Sequence, residues 1–418
     1  MEHPEVAATT SSTATLAEAS ERYAEQIALP GPPPENEPWV AQSLTRGAAG
    51  IALLHIERAH AGTGTWQQAH HWIVNAVAGQ ISATNTTGLY LGAPAVTLML
   101  DAAAAGNTSR YREALADVDV HVAALAHRRV ESAMARISAG ELPGFREYDV
   151  FFGLSGLGAL LLRRDPGGSA MQRVLDYLVA LTLPLQIDSH ALPGWWVGHD
   201  PHRRSSSAYR DGHGNLGAAH GVGGPLALLS QAMRRGVTVD GHHEAIATIC
   251  GWLDAWQQDG EAGPWWPEWI TLADLRSGHP SQPGPARPSW CYGTPGIARA
   301  GQLAGIATND VRLQQEYEQA LVRCLDDPAQ QARITDPGLC HGWAGIYQTV
   351  WRATQDSRSP ALADHLPRLA ENLIPYTRSS ATAGTGLLEG GAGTALALHT
   401  AAHNVAPISG WDACLLID

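Results

Sequence analysis

"HGWAGIYQTV", residues 341–350, opens an apolar run on a Gly-x-x-Gly pair, and the same arrangement occurs six more times in the 418 residues. The other copies are "RGAAGIALL" at Gly47, "LGAPAVTLML" at Gly92, "FGLSGLGALLL" at Gly153, "HGVGGPLALL" at Gly221, "YGTPGIARA" at Gly293 and "GGAGTALAL" at Gly390. The Gly92 copy carries Ala95 where the others have their second glycine. Amphipathic stretches such as "YREALADVDVHVAALAHRRVESAMARI" separate the copies, so each unit reads as an inner helix paired with an outer one. Intervals of 45 to 72 residues suit helical-pair repeats, which bury their apolar faces only by stacking on neighbours. The inner runs are rich in Ala, Leu and Gly and lack a polar face wide enough for an open groove. The expected architecture is therefore all-α, a closed double-layered ring of seven inner and seven outer helices.

The longest intervals hold Pro-, Gly- and Trp-rich insertions around residues 186–214 and 260–290, which read as loops or short strands, a small inserted subdomain over one rim. Residues 1–36, running into "LPGPPPENEP", read as a weakly ordered N-terminal arm ahead of a main domain at 37–418.

Composition narrows the function. With 44% apolar and 16% charged residues the chain builds a large core. It has no unbroken apolar run of about 18 residues and no basic start followed by an apolar block, so neither a transmembrane segment nor an export signal is expected, and the expected location is cytoplasmic. Five scattered cysteines do not make a disulfide framework and remain available as ligands. All 27 basic residues are arginine, which excludes Schiff-base and Walker-lysine chemistry. A net charge of −13 argues against nucleic acid as a partner.

In a closed ring of repeats, equal phase means proximity at one rim. Counted from the first glycine of each copy, Cys291 and Cys340 both sit at minus two, His341 and His220 at minus one and Asp149 at minus four. Two cysteines and a histidine make the three-ligand set of a zinc site with an open fourth position, and thiolate with imidazole selects zinc over magnesium or calcium. Cys250, Cys324 and Cys414 lie out of phase and read as small buried residues. His199, His202, His213 and His279 lie in the insertions and are not assigned to the site.

The segments "YDVFFGLSG" (148–156), "AAHGVGG" (218–224), "RPSWCYGTPG" (287–296), "CHGWAG" (340–345) and the tail "SGWDACLLID" (409–418) together resemble the lanthipeptide (lantibiotic) cyclases, the LanC-like proteins, from about residue 40 to the C-terminus. The resemblance implies an α/α toroid and one Zn²⁺ held by Cys291, Cys340 and His341, with the fourth position open. It adds catalytic positions at His220, Asp149, Arg287 and Tyr292. It also implies a reaction, the Michael-type addition of cysteine thiols to dehydroalanine or dehydrobutyrine in a dehydrated precursor peptide, with a dehydratase and an exporter as further partners. In that chemistry His220 is the candidate acid or base, since imidazole titrates near neutral pH. Asp149 would orient His220. Arg287 would stabilise negative charge or fix Asp149, and Tyr292 would act from behind the ligands or pack.

Three rival readings stand beside this one. The first is a LanC-like enzyme joining glutathione or another thiol to dehydroamino acids. A toroid glycosidase is disfavoured because the mouth offers mainly Asp149 and Glu389, whereas glycoside hydrolysis uses two spaced carboxylates. The third is a zinc-braced scaffold that grips a peptide with Trp195, Trp196, Trp265, Trp266 and Trp269.

Overall fold

A computed structural model describes residues 4–31, 36–107, 109–187, 190–203, 206–378 and 384–418. Among the described residues seven helices form an inner layer: α2 (Ala48–His60), α4 (Ala93–Ala104), α6 (Leu154–Arg164), α8 (Gly223–Arg234), α10 (Thr294–Ala307), α12 (Trp343–Asp356) and α14 (Gly391–His403). Each packs on the next and α14 packs on α2, so the ring is closed. The outer layer comprises α1 (Pro4–Gln26), α3 (Trp66–Ala76), α5 (Arg112–Ser138), α7 (Ser169–Leu181), α9 (His242–Trp256), α11 (Val311–Asp326) and the short α13 (Leu366–Glu371). The fold is the α/α toroid. Its stability resides largely in the inner layer, where residues such as Leu53, Leu98, Leu160, Leu228 and Leu303 are excluded from solvent and each contributes roughly 1.5–3 kcal/mol.

The segment expected to be a weakly ordered arm is instead mostly helix α1, packed along α14. Leu16, Ala19, Tyr23, Ala24 and Ile27 are buried, Ser20 Oγ donates to the Ala395 carbonyl at 2.9 Å, and the Tyr23 hydroxyl donates to the Tyr376 carbonyl at 3.0 Å. The segment after α14 turns inward, with Trp411, Cys414 and Leu415 buried, so the outer face of α14 is covered by α1 instead. The proline-rich joint falls largely on residues 32–35, outside the described residues.

The second glycine of the repeat has a steric cause. A Cβ on Gly156, Gly296 or Gly345 would collide with the carbonyl oxygen of Val150, Trp290 or Leu339, six residues earlier. Each pre-helix loop thus folds directly over the first turn of its inner helix, which lays the minus-two residues against one another around the rim. With Val150 and Leu44 at minus three, they form a belt of backbone hydrogen bonds: Val150 to Ala219 (3.0 Å), Ala219 to Cys291 (3.3 Å), Cys291 to Cys340 (3.2 Å), Cys340 to Leu388 (3.0 Å), Leu388 to Thr45 (3.2 Å) and Leu44 to Tyr90 (3.0 Å), amide donor first. At the remaining junction the Tyr90 and Phe151 rings stack at 4.4 Å.

The insertions form three two-stranded antiparallel pairs: β1 (Leu185–Ile187) with β2 (His190–Leu192), β3 (His213–Asn215) with β6 (Trp269–Thr271), and β4 (Gln258–Gly260) with β5 (Gly263–Trp265). The β3–β6 pair ties the two insertions together beside the mouth, in the register His213 to Thr271 and Asn215 to Trp269. From within, the C-terminal tail braces the inner helices. Tyr90, Trp290 and Arg299 donate to the carbonyls of Cys414, Leu415 and Ile417, all at 2.8 Å, and buried Asp412 pairs with Arg352 at 2.7 Å. No described helix is long and apolar enough to cross a membrane.

Candidate metal centre and active site

The belt places two thiols at adjacent rim positions, because Cys291 donates its own amide to the Cys340 carbonyl. His341 follows Cys340 directly, and the ligand atoms of Cys291, Cys340 and His341 lie within 4.8 Å of one another. Those separations suit the edges of a tetrahedral zinc site with sulfur and nitrogen donors. Among the described residues no fourth Cys, His, Asp or Glu joins this group. The remaining cysteines, Cys250, Cys324 and Cys414, are free and buried elsewhere.

A hydrogen bond from the Cys340 thiol holds Cys291 well below the ordinary thiol range, against the opposing effect of burial. The same bond, and then burial, push Cys340 well above it. His341 is raised chiefly by its bond to Cys291. Two sulfurs and an imidazole grouped in this way are a donor set suited to a soft divalent cation.

Across the mouth stands His220, on the turn leading into α8. Its Nδ1 lies 2.7 Å from Oδ2 of Asp149, which is fully buried. Asp149 caps the loop ahead of α6, where its Oδ1 accepts the backbone N–H groups of Phe152 and Gly153, both at 2.7 Å. With Nδ1 committed to the carboxylate, Nε2 is the atom of His220 left for chemistry. The chain has three phenylalanines, and all three pack on this imidazole: Phe145 and Phe151 at 4.9 Å and Phe152 at 6.5 Å between ring centroids.

Arg287 does not bond Asp149, whose two oxygens are already taken. Its Nη1 instead lies 3.8 Å from Oδ2 of Asp336, and the same oxygen lies 3.8 Å from Nε2 of His341. Tyr292 is turned inward, with its phenol oxygen accepting from Nδ2 of buried Asn215 at 3.0 Å. Burial pushes that phenol above its ordinary pKa. Glu268, just ahead of β6, is pushed up by burial and by the Cys291 sulfur. Asn215 and Asp336 escaped sequence reasoning although they share with Arg287 the position six residues before the first glycine, a signal the sequence carried, whereas Glu268 has no place in the repeat. The phenylalanines carried a usable signal, since two of the three sit inside "YDVFFG". Of the tryptophans, Trp195, Trp196, Trp265 and Trp266 are buried, which leaves them as packing residues rather than a gripping surface.

The sequence pattern of the lanthionine synthetase C-like proteins matches residues 38–416, and the chain belongs to that family. A curated relative, the nisin biosynthesis protein NisC of Lactococcus lactis subsp. lactis, is 22% identical over 267 residues, so the match spans 62% of this chain and 62% of that relative. Among solved structures, nisin cyclase has the same fold, with a TM-score of 0.77 at 19% identity over 91% of this chain and 93% of that one.

Proposed function

We propose that this protein is a zinc-dependent lanthipeptide cyclase, adding cysteine thiols of a dehydrated precursor peptide to its dehydroalanine or dehydrobutyrine residues to close lanthionine and methyllanthionine rings. The observation that carries the reading is the convergence of Cys291, Cys340 and His341 without a fourth ligating side chain among the described residues, on the rim that also holds the His220–Asp149 pair. Family membership and the NisC relative support it. Residues 37–418 with α1 form the catalytic unit. A dehydratase supplies the substrate, an exporter receives the product, and the reaction belongs in the cytoplasm, where thiols stay reduced.

Cys291, Cys340 and His341 would hold one Zn²⁺. When bound, zinc supplies a Lewis acid that lowers a thiol's pKa from near ~8.5, so that the peptide cysteine reacts as thiolate at neutral pH. The Nε2 of His220 takes the displaced proton and returns it to the α-carbon after the sulfur has bonded to the β-carbon. Asp149 fixes the imidazole with Nδ1–H inward and stabilises its protonated form. The three phenylalanines keep water from that imidazole.

The test combines metal analysis with mass spectrometry of a co-expressed, dehydrated candidate peptide after thiol alkylation. One zinc per chain is expected, and each closed ring removes one alkylatable thiol. A glutathione adduct in place of a ring would reassign the incoming thiol. A chain free of zinc, or rings forming no faster than without the protein, would overturn the reading.

A further inference from the structure

We propose that Asn215 is a positioning residue that fixes the Tyr292 phenol as a hydrogen-bond donor to the substrate carbonyl oxygen on which charge develops during thiol addition. This rests on the cyclase reading above. Asn215 is fully buried at the end of β3, and its Oδ1 accepts the N–H of Gly217 at 3.0 Å. That bond settles which end of the amide is which. Nδ2 must therefore face the phenol and donate to its oxygen at 3.0 Å. A phenol that accepts there has its own hydrogen free to point elsewhere. A phenol carries its hydrogen at neutral pH, so it remains a donor.

The ring is held as closely as the oxygen. A Cβ at Gly217 would lie 2.7 Å from Tyr292 Cδ1 and 2.7 Å from the Cys291 carbonyl oxygen, so only glycine lets the ring lie flat against that backbone. The Trp269 ring meets Tyr292 edge-on at 6.4 Å, and His220 lies 6.5 Å away. The phenol is thus clamped beside the imidazole, on the residue next to a ligating sulfur.

In the step it serves, the sulfur forms a C–S bond to the β-carbon and the π pair moves onto the α-carbon and carbonyl as an enolate. The protonated His220 imidazole then delivers its proton to the α-carbon and the carbonyl reforms. The net change is addition of S–H across the double bond, with no further reactant. The enolate oxygen needs a preorganised donor, and losing one such donor typically lowers kcat by about 10²–10³-fold.

The experiment compares N215A, N215D, Y292F and N215D/Y292F for kcat, KM and zinc content on a dehydrated peptide. An ionised Asp keeps the shape of Asn and still accepts from Gly217, but it reverses the other bond and captures the phenol proton. N215D is therefore expected to lose as much kcat as Y292F, roughly 10²–10³-fold, with KM and zinc unchanged. N215A, which leaves the phenol proton free, should lose less, and the double variant should lose no more than either parent. If Asn215 merely packs, the isosteric N215D becomes the mildest change, and that order, or additive losses in the double variant, overturns the inference alone. A wild-type chain that closes no rings overturns the cyclase reading and this inference together.

Discussion

The Nδ1 of His220 stands 2.7 Å from a carboxylate oxygen of Asp149, and that carboxylate has no exposure to solvent. Backbone amides already fill its other oxygen, so Asp149 cannot swing away and the imidazole keeps one orientation. H220A is expected to lower ring closure by about 10²–10⁴-fold with zinc retained. D149N should fall in the same direction, because a neutral amide does not stabilise the protonated ring. Single-turnover cyclisation rates beside metal content decide the matter, and wild-type rates in H220A would remove it from the mechanism.

Asp336 Oδ2 is shared at 3.8 Å between His341 and Arg287, while its Oδ1 accepts the N–H of Gly338 at 3.0 Å. A carboxylate fixed behind a ligating imidazole raises its basicity and holds its ring orientation. D336N is expected to weaken zinc binding by about 10–100-fold in competition with a chromophoric chelator. C291A, C340A and H341A should abolish it. Unchanged affinity in D336N would leave the ion pair with Arg287 as the only role of Asp336.

The ring and the meeting of Cys291, Cys340 and His341 were legible for one reason: a repeat converts position in sequence into position on a rim. Cys291 and Cys340 share a phase, and the backbone bond between them is the physical form of that coincidence. Tyr292 shares the minus-one phase of His220 and His341, and Arg287 the minus-six phase of Asn215 and Asp336, so phase puts both at the rim without indicating their partners. Asn215 and Asp336 are equivalent turn residues, each accepting the N–H two residues on at 3.0 Å, but one turns its free end to Tyr292 and the other to His341 and Arg287, a difference that phase does not encode. Helix α1 was missed because its inward face includes Ala19, Ser20 and Ala24 beside Leu16 and Tyr23, a weak apolar signal that gains strength only from packing on α14.

Since α1 is the outer partner of the seventh inner helix, a chain beginning at residue 37 should expose the face of α14 around Gly391 and Ala395, where Tyr23 and Ser20 rest. Such a truncation is expected to unfold at lower temperature and to associate through that face. The milder Y23A removes a side chain that is 6% exposed and should cost about 3–5 kcal/mol. Denaturant titrations of the two proteins check this. Wild-type stability in both would return the segment to the status of a dispensable arm.

Three buried histidines away from the metal ligands set the acid limit of the fold. Burial lowers His55, His213 and His399 each to about 4 from an ordinary 6.5. The unfolded chain therefore binds protons that the folded chain refuses. Stability is fully present above pH 6.5 and is lost as pH falls from there towards 4, by about 1.4 kcal/mol per pH unit for each histidine and about 3 kcal/mol each at most. A metal bound as proposed would be released in the same range, because protonated ligands do not bind zinc, so the measurement belongs on chelator-treated protein. The unfolding temperature of that protein should fall markedly as pH drops from 6.5 to 4. H213Q replaces the ring that donates from Nδ1 to the His199 carbonyl at 2.8 Å with a side chain that donates without titrating, and should flatten the slope by one proton. An unchanged slope in H213Q would show that this histidine takes up its proton without unfolding.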